Sequence, residues 1–140
     1  MGTNIAKRQR SCGKSIIRKA TSCVPGFKDM EYQNRLKAMR IPSMSFRRFR
    51  DDLIEIYEYT HRLYNCPSPF VINSESKTRG HNFKITKQPC NTSLKQKFFT
   101  IRAVDSWNNL NQTIVNAKSL DSFKNLIDKE FKDLMYETNL

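Results

Sequence analysis

Only four glycines occur in 140 residues, and they form neither a G-x-x-x-x-G-K-[ST] loop nor a G-x-G-x-x-G fingerprint. That excludes the two common glycine-rich phosphate cradles. Long apolar runs are missing too: nothing approaches the roughly 18 consecutive apolar residues that a spanning helix needs. The first residues carry no apolar h-region, so no secretory signal is expected. Histidine is scarce, with only His61 and His81 present. The cysteines, Cys12, Cys23, Cys66 and Cys90, form no C-x-x-C pair. They read as free thiols in a reducing compartment. The chain is therefore expected to be intracellular, nuclear or cytoplasmic, and not secreted.

These scarcities also limit the chemistry. His61, Cys66, His81 and Cys90 lie within one 30-residue stretch, but their spacing matches no zinc pattern, since structural zinc sites are built on C-x₂₋₄-C knuckles. Asp51 and Asp52 are an adjacent acidic pair, and two-metal enzymes use paired carboxylates. On a helix, however, neighbours project about 100° apart, and each has an arginine four positions back. Salt bridges on the helix surface explain them better than metal ligation. No catalytic residue, metal site, cofactor or small-molecule substrate is expected.

What the chain has in excess is positive charge. Lys and Arg number 25 against 13 Asp and Glu, a net charge of +12. Residues 1–50 sum to +11 and residues 67–102 to +6, while 51–66 and 103–140 are weakly acidic. Blocks of one sign attract a polyanion, and inside cells the commonest is nucleic acid.

Hydrophobic residues make up 38% of the chain, including nine Phe, five Tyr and one Trp, enough for a core. Residues 1–26 read as a basic arm or helix, ended by the turn signal Val24-Pro25-Gly26-Phe27. Residues 27–140 read as a single, mainly helical domain. Asp29 is placed to cap a helix whose face is Tyr32, Leu36 and Met39, stopped by Ile41-Pro42. Ser43 can cap a second, with Phe46, Phe49, Leu53, Ile56, Tyr57 and Thr60 as its buried stripe. Cys66-Pro67-Ser68-Pro69 cannot be helical. Phe70-Val71-Ile72 and Asn82 to Lys87 suggest a β-hairpin or a pair of extended segments. From Leu94 to Leu110 the dense apolar positions suggest one largely buried helix. Ser119 or Asp121 caps a last helix, with Leu120, Phe123, Leu126, Ile127, Phe131, Leu134 and Met135 at a 3.6-residue period. The expected fold is mainly α, four to five amphipathic helices with a short extended or hairpin segment in the middle. Trp107, Phe99, Phe123, Leu126, Phe49 and Leu53 are its expected core.

The candidate nucleic-acid contacts follow from charge and position. Arg47, Arg48 and Arg50 sit near a helix N-terminus, where the dipole disfavours cations; they either pair with Asp51 and Asp52 at i, i+4 or face an external anion. Arg79 and His81 lie on a polar turn. Lys84, Lys95 and Lys97 complete the set. No helix-turn-helix, zinc finger or aromatic RNA-binding motif is present, so base specificity is not expected.

Five strings in series add a resemblance. They are Tyr32-Gln33-Asn34-Arg35-Leu36 with Ile41-Pro42-Ser43; Arg47-Arg48-Phe49-Arg50-Asp51-Asp52-Leu53-Ile54 with Tyr57; Thr78-Arg79-Gly80-His81; Phe98-Phe99 with Trp107-Asn108-x-Leu110; and Ser119-Leu120-Asp121-Ser122-Phe123-Lys124. Their order resembles the C-terminal region of non-LTR (LINE-type, jockey-like) retrotransposon reverse-transcriptase polyproteins. The family patterns there are similar to Y-x-x-R-L…L-P-S-L, R-R-x-R-G-D-[LM]-I-x-x-Y-K, T-R-G-H and W-N-x-L-P. This chain departs from them at Asp51 for glycine, Glu58 for lysine and Asn111 for proline.

The resemblance implies a piece lying after the polymerase core, without the endonuclease, the fingers and palm, or the palm's aspartate pair. It implies a non-catalytic accessory part that holds RNA or DNA, with the rest of the polyprotein as partner. A stand-alone helical protein-interaction module and a non-functional relic of a mobile element are the alternatives. Neither a membrane nor a small molecule is expected as a partner.

Overall fold

The computed structural model describes residues 15–73 and 80–138. The chain divides into two units, one made of Met1–Arg48 with Lys132–Leu140, the other of Phe49–Phe131.

In the first unit, residues 15–22 are helical (α1). Its threonine and serine hydroxyls turn back on the helix: Thr21 Oγ1 donates to the Ile17 carbonyl at 2.9 Å and Ser22 Oγ to that of Lys19 at 2.8 Å. The Pro-Gly turn forms as expected. The Phe27 N–H closes on the Val24 carbonyl at 3.1 Å, and Gly26 adopts φ 84°, the geometry of a type II turn, which favours proline then glycine.

Helix α2 (Tyr32–Met39) starts two residues later than the Asp29 cap would place it. The segment 27–30 is instead a further turn, with the Met30 N–H on the Phe27 carbonyl, so Glu31 takes the N-cap position without a side-chain bond. The helix ends on Arg40, at φ 56° and ψ 36°, while the Ile41 N–H reaches the Leu36 carbonyl at 2.9 Å. This is a Schellman ending with arginine where glycine is usual.

Ser43 does cap α3 (Met44–Thr60): its Oγ accepts from the Phe46 N–H at 3.0 Å. The same residue anchors the C-terminal segment. Its N–H donates to the Met135 carbonyl at 2.9 Å, its hydroxyl donates to the Glu137 carbonyl, and the Ser45 hydroxyl donates to the Thr138 carbonyl at 2.8 Å. Leu36 and Phe46 are the fully buried apolar side chains of this unit.

In the second unit the α3 stripe is buried as its spacing requires, with Leu53, Ile56, Tyr57 and Thr60 inside. Helix α3 ends like α2, on an arginine: Arg62 has φ 55°, and the Leu63 N–H reaches the Glu58 carbonyl at 2.9 Å.

The stretch 94–110 is not one helix. Lys95–Lys97 is a single 3₁₀ turn. Phe98 is extended, at ψ 143°. Then come α4 (Phe99–Arg102) and α5 (Val104–Asn108), with Ala103 between them. Apolar groups surround this stretch on several sides, with Ile101, Ala103, Val104, Trp107 and Leu110 all buried. Packing from several directions, not one amphipathic face, sets the backbone path. Asn111 caps α6 (Gln112–Val115) by accepting from the Thr113 N–H. Ser119, not Asp121, caps α7 (Leu120–Glu130), accepting from the Ser122 N–H at 3.2 Å.

The core of this unit joins Leu53, Ile56, Tyr57, Trp107, Phe123 and Ile127 among others, with Phe49, Phe99 and Leu126 half-buried against it. Each large side chain so buried contributes about 1.5–3 kcal/mol of transfer free energy.

The middle segment is extended, and no hairpin forms among the described residues. Ile72 and Ile85 make one antiparallel bridge, with the Asn73 N–H on the Lys84 carbonyl at 2.7 Å and the Thr86 N–H on that of Val71 at 2.8 Å. The mainly helical class therefore holds. Among the described residues, no helix is long and apolar enough to cross a membrane.

Candidate nucleic-acid interface

Each arginine of the Arg47-Arg48-x-Arg50 cluster has a different fate. Arg50 is engaged inside the second unit: its Nε lies 2.6 Å from Asp128 Oδ1 and its Nη2 2.9 Å from Oδ2. This two-pronged pair holds the Arg50 proton more tightly than usual. Asp52 is engaged in the same way, by Arg102 at 2.8 and 2.6 Å. The expected i, i+4 pairs with Arg47 and Arg48 therefore do not form. A planar guanidinium matches both carboxylate oxygens at once, and the fold supplies such partners at sequence separations of 78 and 50 residues. Arg47, exposed, and Arg48, half-buried, make no ion pair among the described residues. They stay at the positive end of the α3 dipole, an arrangement that costs about 0.3–1 kcal/mol per cation unless an anion answers it.

His81 leaves the surface set. It is 3% exposed. Its Nε2–H donates to the Trp107 carbonyl at 2.9 Å, and its ring meets the indole edge to face at 5.7 Å. That bond sets the tautomer, so Nδ1 is the bare nitrogen, buried without a partner. Burial pushes the imidazole below its ordinary pKa; the Trp107 carbonyl pushes it up and the Lys84 ammonium pushes it down. The polar turn around His81 carries no local sign of this, because the ring is taken up by a residue 26 positions away.

Arg79 lies outside the described residues. Lys84 is half-buried, and its stem crosses Gly80, where a Cβ would come within 2.5 Å of Lys84 Cε. Gly80 itself has φ 138°, open to glycine and strained for other residues. Lys95 and Lys97 are exposed on their single turn; Lys95 Nζ reaches the Pro89 carbonyl at 3.4 Å, and the Lys97 carbonyl accepts from Arg102 at 3.1 Å. Lys87, on the same unit, pairs with Asp105.

Sequence reasoning missed Arg18, Lys19 and Arg35, which face one cleft of the first unit. The charge sum over residues 1–50 contains them, but a sum does not say which cations share a cleft. Among the described residues, no three His, Cys, Asp or Glu side chains are arranged to hold a metal ion. His61 is instead stacked on Tyr57 at 3.9 Å and on Phe83 at 4.8 Å, and Cys23, Cys66 and Cys90 are free thiols.

No protein-family model matches the chain, and neither a curated protein nor a solved structure matches it.

Proposed function

We propose that this chain is a nucleic-acid-holding accessory region of a LINE-type reverse transcriptase, acting inside the cell and catalysing nothing by itself. The observation that carries the reading is the pair Arg47 and Arg48, cations without carboxylate partners among the described residues at the start of α3. The first unit around them has 13 Lys and Arg in its sequence against four acids. Such a surface neutralises backbone phosphates without reading bases. The resemblance of the five strings supplies the family.

The adjacent acids Asp51 and Asp52 have an account that needs no metal ion. Asp52 is committed to Arg102, and its neighbour Asp51 is on the exposed side of the same helix. Neither is held in the converging geometry that two-metal phosphoryl transfer requires.

Binding of single-stranded RNA, single-stranded DNA and duplex DNA across a salt series tests the reading. With Arg47→Gln/Arg48→Gln, the log–log salt slope on duplex should flatten by about 0.9 for each phosphate no longer neutralised. Unchanged affinity and slope in a folded variant would remove these arginines from the interface. In a primer–template assay with Mg²⁺ and nucleotides the chain should extend nothing; extension abolished by Asp52→Asn would defeat the non-catalytic reading.

A further inference from the structure

Among the described residues, Arg35 is a buried cation, 9% exposed, whose Nε has no hydrogen-bond partner. It forms no ion pair among the described residues. Removing a guanidinium from water costs several kcal/mol unless an opposite charge and hydrogen bonds answer it. The acids of its unit are Asp29, Glu31, Asp133 and Glu137, and none of their side chains lines the cleft into which Arg35 faces.

That cleft has a volume of about 590 Å³ and is also lined by Arg18 and Lys19 from α1, Tyr32 from α2 and Ser45 at the start of α3. The guanidinium carbons of Arg18 and Arg35 lie 4.9 and 5.8 Å from the centre of the Tyr32 ring. The ring holds both cations by its face, which offsets part of their mutual repulsion. The hydroxyls of Ser22, Ser43 and Ser45 already donate to backbone carbonyls, so the cations, with the Ser15 and Tyr32 hydroxyls, are the donors that face a ligand. The positive end of the α3 dipole adds to the same field.

We propose that this cleft is a phosphate site for a nucleotide, with Arg18 and Arg35 as its guanidinium clamp and Lys19 as the third positive charge. Guanidinium forks match phosphate oxygens in pairs. The volume is in the range of small-molecule sites and exceeds what a bare phosphate fills. Free nucleotides and nucleotides within a strand present the same group. Arg47 and Arg48 are not among the residues lining the cleft.

Calorimetric titration of the full chain with AMP, adenosine and inorganic phosphate tests the site. AMP should bind and raise the melting temperature, inorganic phosphate should compete with it, and adenosine should do neither. Arg18→Gln, at an exposed position that leaves the core intact, should weaken AMP at least about tenfold, the size of one charge-assisted hydrogen bond. Arg35→Gln should do the same if it folds. AMP bound no better than adenosine, or bound equally by Arg18→Gln, would overturn the proposal. A short single-stranded oligonucleotide separates the sources. If Arg18→Gln weakens it as well, the occupant is a nucleotide in a strand; if only AMP binding falls, the occupant is a free nucleotide. AMP binding without any strand binding would keep the cleft and end the nucleic-acid reading of Arg47 and Arg48.

Discussion

The side-chain amide of Asn108 completes both backbone hydrogen bonds of Ile85. The Ile85 N–H donates to Asn108 Oδ1 at 2.9 Å, and Asn108 Nδ2 donates to the Ile85 carbonyl at 2.9 Å. One side chain thus does for Ile85 what a neighbouring strand would do. The residue before it works likewise, Trp107 Nε1 donating to the Phe83 carbonyl at 2.8 Å. Together with the His81 bond to the Trp107 carbonyl, these contacts tie the extended segment to α5. The strings Gly80-His81 and Trp107-Asn108, far apart in sequence, meet in one structural knot.

Asn108→Leu should therefore destabilise the second unit out of proportion to its half-buried position. It leaves a backbone donor and acceptor of the buried residue Ile85 unanswered, at about 1–3 kcal/mol for each group that stays dry. Urea unfolding followed by Trp107 fluorescence measures the effect. A midpoint equal to the parent's would mean that water replaces the amide without cost.

Stability should fall on acidification. Burial lowers the pKa of both His81 and His61 in the folded chain, while in the unfolded chain histidine titrates near about 6.5. Between those values the unfolded state binds more protons, so stability rises with pH there. The histidine contribution is complete above about pH 6.5 and is lost as the pH drops through the lower folded values. Urea midpoints measured from neutral to acidic pH should show the decline, and His81→Gln should make it shallower. A His81→Gln curve parallel to the parent's would show that this ring does not titrate on unfolding.

Arg40 and Arg62 both stand in the left-handed region at helix ends, at φ 56° and 55°. A side chain there costs about 1 kcal/mol relative to glycine. Arg40→Gly and Arg62→Gly should each gain a few tenths to about 1 kcal/mol, the larger entropy of unfolded glycine offsetting part of the relief. Thermal melts of the two variants check this, and a lower melting temperature for both would contradict it.

Trp107, the single tryptophan, is fully buried with its indole N–H bonded. Its emission should be blue-shifted in the native chain and move to the red on unfolding. Native emission already at the exposed wavelength would contradict the packing of the second unit.

Arg50→Gln should cost about 1 kcal/mol or less, because the pair with Asp128 is partly exposed and solvent screens it. Its salt-dependent binding to nucleic acid should match the parent's. A drop in affinity as large as that of the Arg47/Arg48 variant would show that Asp128 does not hold this arginine in solution.

Short-range periodicity and chain stiffness are written in the order of the residues. Helices α3 and α7, the Ser43 and Ser119 caps, the Pro25-Gly26 turn and the burial of Leu53, Trp107 and Phe123 all follow from residues within a few positions of each other. The polar partners come from tertiary packing instead. Arg50 and Asp128, Asp52 and Arg102, and His81 and Trp107 are chosen by which surfaces meet, and no spacing rule carries that information across 26 to 78 residues. The break at Phe98 has the same origin, since a segment covered from several sides follows its neighbours and not its own period. So does the isolation of Arg35: its charge is legible in the sequence, but the want of a carboxylate beside it becomes visible only once α1, α2 and the start of α3 enclose it.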